Sequence, residues 1–472
     1  MMKILMLVPD GVGVRNYLYS ELTKELINRN AEICLYHKIS KNAINEIRKI
    51  NDEIEFYEIP DFTEKAIPRF LRESSAYGRL KYFSRKLKNP SILKFWIIKP
   101  KTFKQKALYG SAVFFGRFFS KWYSVLRFLE NKYEAEIKKS GSYQKAKNEL
   151  QQINPDIVIN LHQRASITAP IMSAAKELNM KTATFIFSWD NIPKGRLISR
   201  PDSYLVWSDL MKKDLCFLYP EINEASVFVV GSPQFEFYFK SEYKLSKDDF
   251  FNKYGLNTSK KTICFSGDDI SSSPFDQVYL RDLCEQILTL KEEERPQILF
   301  RRCPVDFSDR FDQVLDDHKE LIVEIKPDWR VEKETDKQSF SLIYPSLNDV
   351  YLLVNTCLHS DLVINLGSTM AHDFAVFNKP CLYLNYNPVR NSDWKVEDIY
   401  EFQHFKSMDG LNAVGWVNSK EEFIDKVFKC INNPDEIAVE RNLWLEKIIK
   451  HPLEGNSKEI ANLIANLCTS AS

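Results

Sequence analysis

The chain has 472 residues, 44% of them hydrophobic and 27% charged, which excludes a disordered protein. It is too long for one ordinary domain, so about two to three are expected. Its net charge of +1 hides an asymmetry: residues 62–150 carry 21 Lys+Arg against 6 Asp+Glu, leaving −14 for the remainder. No apolar run reaches the roughly 18 residues of a membrane-spanning helix. The apolar start, MMKILMLVPDG, is too short for a signal peptide, so a cytoplasmic protein is expected. The 9 cysteines form no C-x-x-C pair and read as buried thiols in a reducing compartment. The 7 dispersed histidines show no zinc spacing, and the Asp268-Asp269 and Asp316-Asp317 pairs lack partners at ligand spacing, so no metal site is expected.

Residues 3–8 (KILMLV) form a predicted strand that runs into a Pro-Asp-Gly-Val-Gly loop, a helical pattern and a second strand, AEICLYH. This opening starts a doubly wound sheet and sets Asp10, Gly11 and Gly13 at the carboxyl end of the first strand, where such sheets bind ligands. The loop lacks the third glycine of a dinucleotide fingerprint. A substrate-facing loop and a tight turn are equally open. After a third strand (54–60) comes the basic segment, whose residues 74–129 hold 13 basic and 14 aromatic side chains and no acidic one. One reading is a surface for anionic lipid headgroups or a lipid-linked acceptor. Another is a helical subdomain with an aromatic core and solvated charges; nucleic-acid binding is the weakest of the three.

The α/β rhythm resumes with a strand at 156–161 ending in His162-Gln163-Arg164, and another at 182–187 ending in Ser188-Trp189-Asp190-Asn191. Two polar clusters at one sheet edge mark a candidate site. Gly231-Ser232-Pro233 closes this half, and residues 233–249 read as a crossover. The second half adds a strand with a Ser266-Gly267 loop, a strand ending in Arg301-Arg302, a strand running to Trp329, and a helix at 348–359. Residues 361–386, DLVINLGSTMAHDFAVFNKPCLYLNY, then read as strand, Gly-Ser-Thr turn, helix and strand. Glycine lets a phosphate approach the backbone, and unpaired helix N–H groups and hydroxyls bind it. The remainder is helical.

These motifs resemble GT-B glycosyltransferases of the bacterial surface-polysaccharide and capsule type. GSTMAHDFAVFNKPCLYLNY looks like their donor segment. SWDNIPKGRLISRPDSYLVWS with VVGSPQFEFY resembles the end of their first domain. The resemblance covers roughly residues 1–60 and 154–400 and extends in part to polyol-phosphate transferases of the teichoic-acid type. It implies an α/β GT-B fold, with two Rossmann-like domains facing a central cleft. The domains would be an acceptor domain (1–235, helical basic-aromatic insertion at about 62–150), a donor domain (250–445) and a helical tail (446–472). Gly367, Ser368 and Thr369 would bind the donor phosphates, Asp373 the ribose, and Arg301 and Arg302 would neutralise phosphate, with Ser266 and Gly267 lining the cleft. Cys303-Pro304 stands where several relatives have His-Pro. The base candidates, in order, are Asp190, His162 and Asp10.

The implied reaction is metal-independent transfer of a sugar from a nucleotide-sugar co-substrate to a saccharide or lipid-linked acceptor, with no further cofactor. It would take place in the cytoplasm or at the inner face of the membrane through residues 74–129. The alternatives are a CDP-polyol-dependent polyol-phosphate transferase and a non-catalytic membrane or nucleic-acid docking protein on the same scaffold. A sugar-nucleotide epimerase is less expected, because such enzymes lack a large basic insertion.

Overall fold

The computed structural model describes residues 1–331 and 343–469, so the last three residues of the predicted tail lie outside it. Strands β1 (Met2–Val8), β2 (Ala31–His37), β3 (Glu55–Glu58), β4 (Ile157–Asn160), β5 (Lys181–Phe185), β6 (Ser203–Val206) and β7 (Val227–Val229) form one parallel sheet ordered β3-β2-β1-β4-β5-β6-β7. The second domain contributes β8 (Thr262–Ser266), β9 (Gln297–Arg301) and β10 (Ile322–Glu324). A two-stranded antiparallel pair, β11 (Trp329–Val331) and β12 (Ile343–Pro345), follows. With β13 (Leu362–Asn365), β14 (Cys381–Leu384) and β15 (Gly415–Val417), the second parallel sheet is ordered β10-β9-β8-β13-β14-β15. The central strands are buried on both faces, which is why they read as continuous apolar runs without alternation.

Both sheets reverse their strand order once, between β1 and β4 and between β8 and β13. A crevice opens at the carboxyl ends of the strands at such a reversal, and that is where open α/β sheets bind ligands. Asp10 and His162 follow β1 and β4. Ser266-Gly267 and Gly367-Ser368-Thr369 follow β8 and β13. The sequence candidates therefore fall on both switch points.

The basic insertion is helical. Its elements are α1 (Ala66–Lys86), a 3₁₀ turn (Pro90–Phe95), α2 (Phe103–Phe119), α3 (Tyr123–Ile137) and α4 (Gly141–Ile153). Helices α1 and α2 cross at glycines: a Cβ on Gly116 would lie 2.6 Å from the Ser74 carbonyl oxygen, and one on Gly78 would lie 3.1 Å from the Gly116 carbonyl oxygen. Much of the segment's charge is internal. Arg79, 1% exposed, pairs with Glu130 and lies 4.6 Å from the Tyr219 ring centroid. Glu73 is buried between Arg72 at 2.5 Å and Arg196 at 2.9 Å. The insertion also reaches the second domain, a contact the sequence reading did not anticipate. Ser91 Oγ donates to the Glu401 carbonyl at 2.8 Å, and Phe95 stacks on Phe402 at 5.0 Å.

In the second domain, helix α5 (Leu347–His359) leads into β13, and α6 (Met370–Val376) follows the Gly-Ser-Thr turn. Two further helices, α7 (Arg441–Ile448) and α8 (Asn456–Thr469), return to the first domain. There Ser457 N–H donates to Glu236 at 2.6 Å and Arg29 Nε donates to Asn462 at 2.9 Å.

Candidate active site in the interdomain cleft

Register builds the first edge. Leu7 of β1 sits opposite Asn160 of β4, so residues two or three further on emerge side by side. Asp10 Oδ2 and His162 Nδ1 lie 2.6 Å apart, and the other Asp10 oxygen accepts the Val12 N–H at 3.1 Å. The Asn160 side chain accepts the His162 N–H at 3.1 Å, and Phe187 packs edge-on against the imidazole at 4.6 Å. With Nδ1 held by a carboxylate, the ring presents Nε2 as the basic nitrogen. Beside this pair, Arg164 donates to Asn191 at 3.0 Å.

Asp190 is differently placed. It meets Lys194 at 2.5 Å, Ser188 Oγ at 2.6 Å and the Asn191 amide at 3.0 Å. Burial would raise its pKa, but Lys194, the nearby His404 and the Ser188 hydroxyl outweigh it and hold the carboxyl well below the usual range. A carboxylate so satisfied is a weak proton acceptor. Of the base candidates, His162 backed by Asp10 has the better arrangement for accepting a proton.

The second edge is built from backbone and buried charge. Gly367 has φ +72°, and a Cβ there would lie 2.7 Å from Phe405 Cζ, so glycine is required both for the backbone and for the space. Ser368 N–H donates to Asn365 at 2.9 Å, and Ser368 Oγ accepts from Met370 N–H at 3.4 Å. Thr369 is the residue before α6, with no side-chain cap. Asp373, one turn along α6, accepts the Tyr238 hydroxyl at 2.7 Å across the cleft, and burial raises its pKa against that hydrogen bond. Arg15, bonded to Gln234 at 2.9 Å, lies near the same carboxylate.

The two arginines separate, as successive residues of a strand do. Arg301 is buried, bonded to both Asp349 oxygens at 2.9 and 3.0 Å, and its field also reaches Asp373. Among the described residues its Nη1 has no hydrogen-bond partner. Arg302 turns instead to Glu324 at 3.1 Å and the Ser308 carbonyl at 2.6 Å. Of the two, Arg301 retains a free donor near the site. Ser266 ends β8 and Gly267 follows it, with the Gly267 N–H donating to the Arg301 carbonyl at 2.9 Å.

Several cleft residues carry interactions that the sequence pattern does not announce. Asp268, next after Gly267, has its pKa pushed up to about 8 by burial, then by Asp276 and Asp269. Asp276 itself rises to about 6 by burial. The signal was the Gly-Asp-Asp run after a strand, weighed only as a metal pair. Trp189 packs edge-on against His372 at 5.2 Å and His404 at 4.8 Å, joining the SWDN segment to α6. Burial lowers His372 to about 3 and His404 to about 4, so both are neutral near pH 7. Gly11, open between two readings, turns out to be a domain contact: its Cβ position is filled by the Ile343 carbonyl of β12.

No family model matches the chain. No curated protein sequence matches it either. Solved structures do align over its whole length. The S. aureus MnaA–UDP co-structure is 12% identical over 100% of this chain and 99% of its own, with a TM-score of 0.53. A UDP-GlcNAc 2-epimerase from Methanocaldococcus jannaschii is 12% identical over 98% and 99%, with the same TM-score of 0.53. A glycosyltransferase from Rickettsia africae is 12% identical over 100% and 99%, again with a TM-score of 0.53. Likeness at this identity speaks to architecture, and with the two switch points it shows a GT-B fold: two Rossmann-like domains facing one cleft.

Proposed function

We propose that this chain is a nucleotide-sugar enzyme that transfers a glycosyl group to an acceptor hydroxyl of a surface polysaccharide or its lipid-linked precursor. The observation that carries the reading is the Asp10–His162 pair at one switch point, with the Gly367 turn and Arg301 at the other. In the step, His162 Nε2 takes the acceptor proton as the acceptor oxygen bonds to the anomeric carbon. The bond from that carbon to the nucleotide phosphate breaks, and its electron pair leaves with the phosphate. Asp10 steadies the imidazolium that forms. Arg301 and the backbone of the Gly367 turn meet the charge developing on the phosphate. Asp373 Oδ2 is left to accept a ribose hydroxyl. A structural neighbour solved with UDP, another bound to UDP-GlcNAc, and a neighbouring glycosyltransferase support a nucleotide-sugar donor.

A second reading, epimerisation of the sugar on its nucleotide, is favoured by the UDP-GlcNAc 2-epimerases among the neighbours. A thermal-shift screen with UDP-, GDP-, CDP-, dTDP- and CMP-sugars identifies the donor, and NMR of that donor incubated with enzyme separates the readings. Transfer requires an added acceptor, whereas epimerisation gives a new sugar isomer without one. A phosphate in the product linkage would point to polyol-phosphate transfer. Absence of a shift with every nucleotide sugar would overturn the reading.

A further inference from the structure

Helix α2 is built inside out. Its buried positions are Ala112 and Gly116, while Phe103, Phe114 and Phe118 are 85%, 70% and 52% exposed. A helix on a water-soluble domain normally turns its large apolar side chains inward. Here the inward face admits only small ones, because a Cβ at Gly116 already meets the Ser74 carbonyl. The aromatic rings are therefore obliged to point away from the protein. Phe114 and Phe118 are four residues apart on α2 and share one stripe, which the Trp122 ring, just past the helix end, extends. Trp122 is itself 48% exposed and lies 5.5 Å from Phe118, while Phe114 lies 5.4 Å from Phe115. Single exposed apolar residues are ordinary, but a contiguous stripe marks an interaction surface.

The charges around the stripe point to the partner. Arginines of α1 and α3 are committed: Arg72 to Glu64 and Glu73, Arg79 and Arg127 to Glu130. Lys99, Lys101, Lys104, Lys106, Arg117 and Lys121 are all exposed instead, and none forms an ion pair among the described residues. Residues 74–129 contain no acidic side chain. Aromatic rings bordered by free cations fit the boundary between lipid headgroups and acyl chains, where the rings bury and the cations meet anionic phosphate. A second copy of the same face would be repelled by like charge. Among the described residues no helix is long and apolar enough to cross a membrane, so α2 would lie in the plane of the surface.

We infer that the outward face of α2, with Trp122 and the flanking lysines, docks this protein on a bilayer of anionic lipid. The inference rests on the insertion alone and does not need the proposed reaction to be correct. The test is co-sedimentation of the full chain with vesicles of phosphatidylcholine alone or mixed with phosphatidylglycerol, at low and high salt. Binding should require the anionic lipid and weaken with salt. Phe114→Ser with Phe118→Ser should lower it on the order of a hundredfold. Lys104→Glu with Lys106→Glu should lower it about tenfold and remove much of the salt dependence. All four positions are exposed, so thermal melting of the variants should match the parent and serves as the folding control. Equal binding to both vesicle types, or double variants that bind like the parent, would overturn the inference. So would oligonucleotide binding or self-association that depends on Phe114 and Phe118 while vesicles go unbound.

Discussion

The two sheets present their carboxyl edges to one cleft, but the edges are made of different material. After β1, β4 and β5 the first edge carries side chains held at their tips by one another: Asp10 with His162, Arg164 with Asn191, Asp190 with Lys194. After β8, β9 and β13 the second edge carries a positive-φ glycine, short turns and a buried Arg301–Asp349 pair. Side chains with a basic nitrogen can move protons. A glycine turn with a buried guanidinium holds a charge in place without reorganising. On the proposed function this asymmetry divides the labour: the first edge treats the acceptor and the second binds the donor.

That division can be broken one edge at a time. The largest expected effect is His162→Ala, which should lower kcat by about 10²–10⁴-fold while leaving donor KM near its original value. Asp10→Asn should fall in the same direction but less far. A rise in donor KM with kcat intact would put His162 on the wrong side of the comparison. Next, Arg301→Ala leaves the Asp349 carboxylate buried without its charge partner, held among the described residues only by Trp329 Nε1 and the Asp328 N–H, and should cost about 3–5 kcal/mol of stability, read as a drop in denaturation midpoint. Arg302→Ala, whose partners are nearer solvent, should cost much less. Gly367→Ala puts a side chain at φ +72° against Phe405 and should cost about 1–3 kcal/mol, together with donor affinity.

A further effect is a pH dependence. The Asp268 pKa is raised in the folded chain from 3.8 to about 8, so the folded state holds a proton that the unfolded state has lost. The stability this gives is fully present below about pH 4 and declines as pH rises through about 8. Asp268→Asn should flatten that decline, and melting temperatures from pH 5 to pH 9 would check it. An unchanged slope would mean that Asp268 titrates normally.

Much of this was legible in the sequence. Buried parallel strands are continuous apolar runs, so the two α/β series stood out, and a polar residue directly after such a run lies at the ligand edge. Asp10, His162, Asp190 and Arg301 were visible on that ground. The pairings were not. The Tyr238–Asp373 bond joins residues 135 apart, and nothing local in either segment announces it. The Asp190–Lys194 pair, by contrast, spans only four residues, and it turns Asp190 from the leading base candidate into a satisfied ion-pair partner. In the insertion, composition could not sort its aromatics. Phe83 is fully buried against Tyr219 while Phe114 faces outward, and what decides is the Gly78–Gly116 crossing, a tertiary contact.

On the proposed function the second edge binds nucleotide independently of the first. Calorimetric titration of nucleoside diphosphates, UDP first, into the parent, His162→Ala and Gly367→Ala tests it most directly. The parent and His162→Ala should bind one diphosphate with the same affinity, and Gly367→Ala should bind it markedly more weakly. No binding to the parent, or a loss that follows His162 and spares Gly367, would contradict the account.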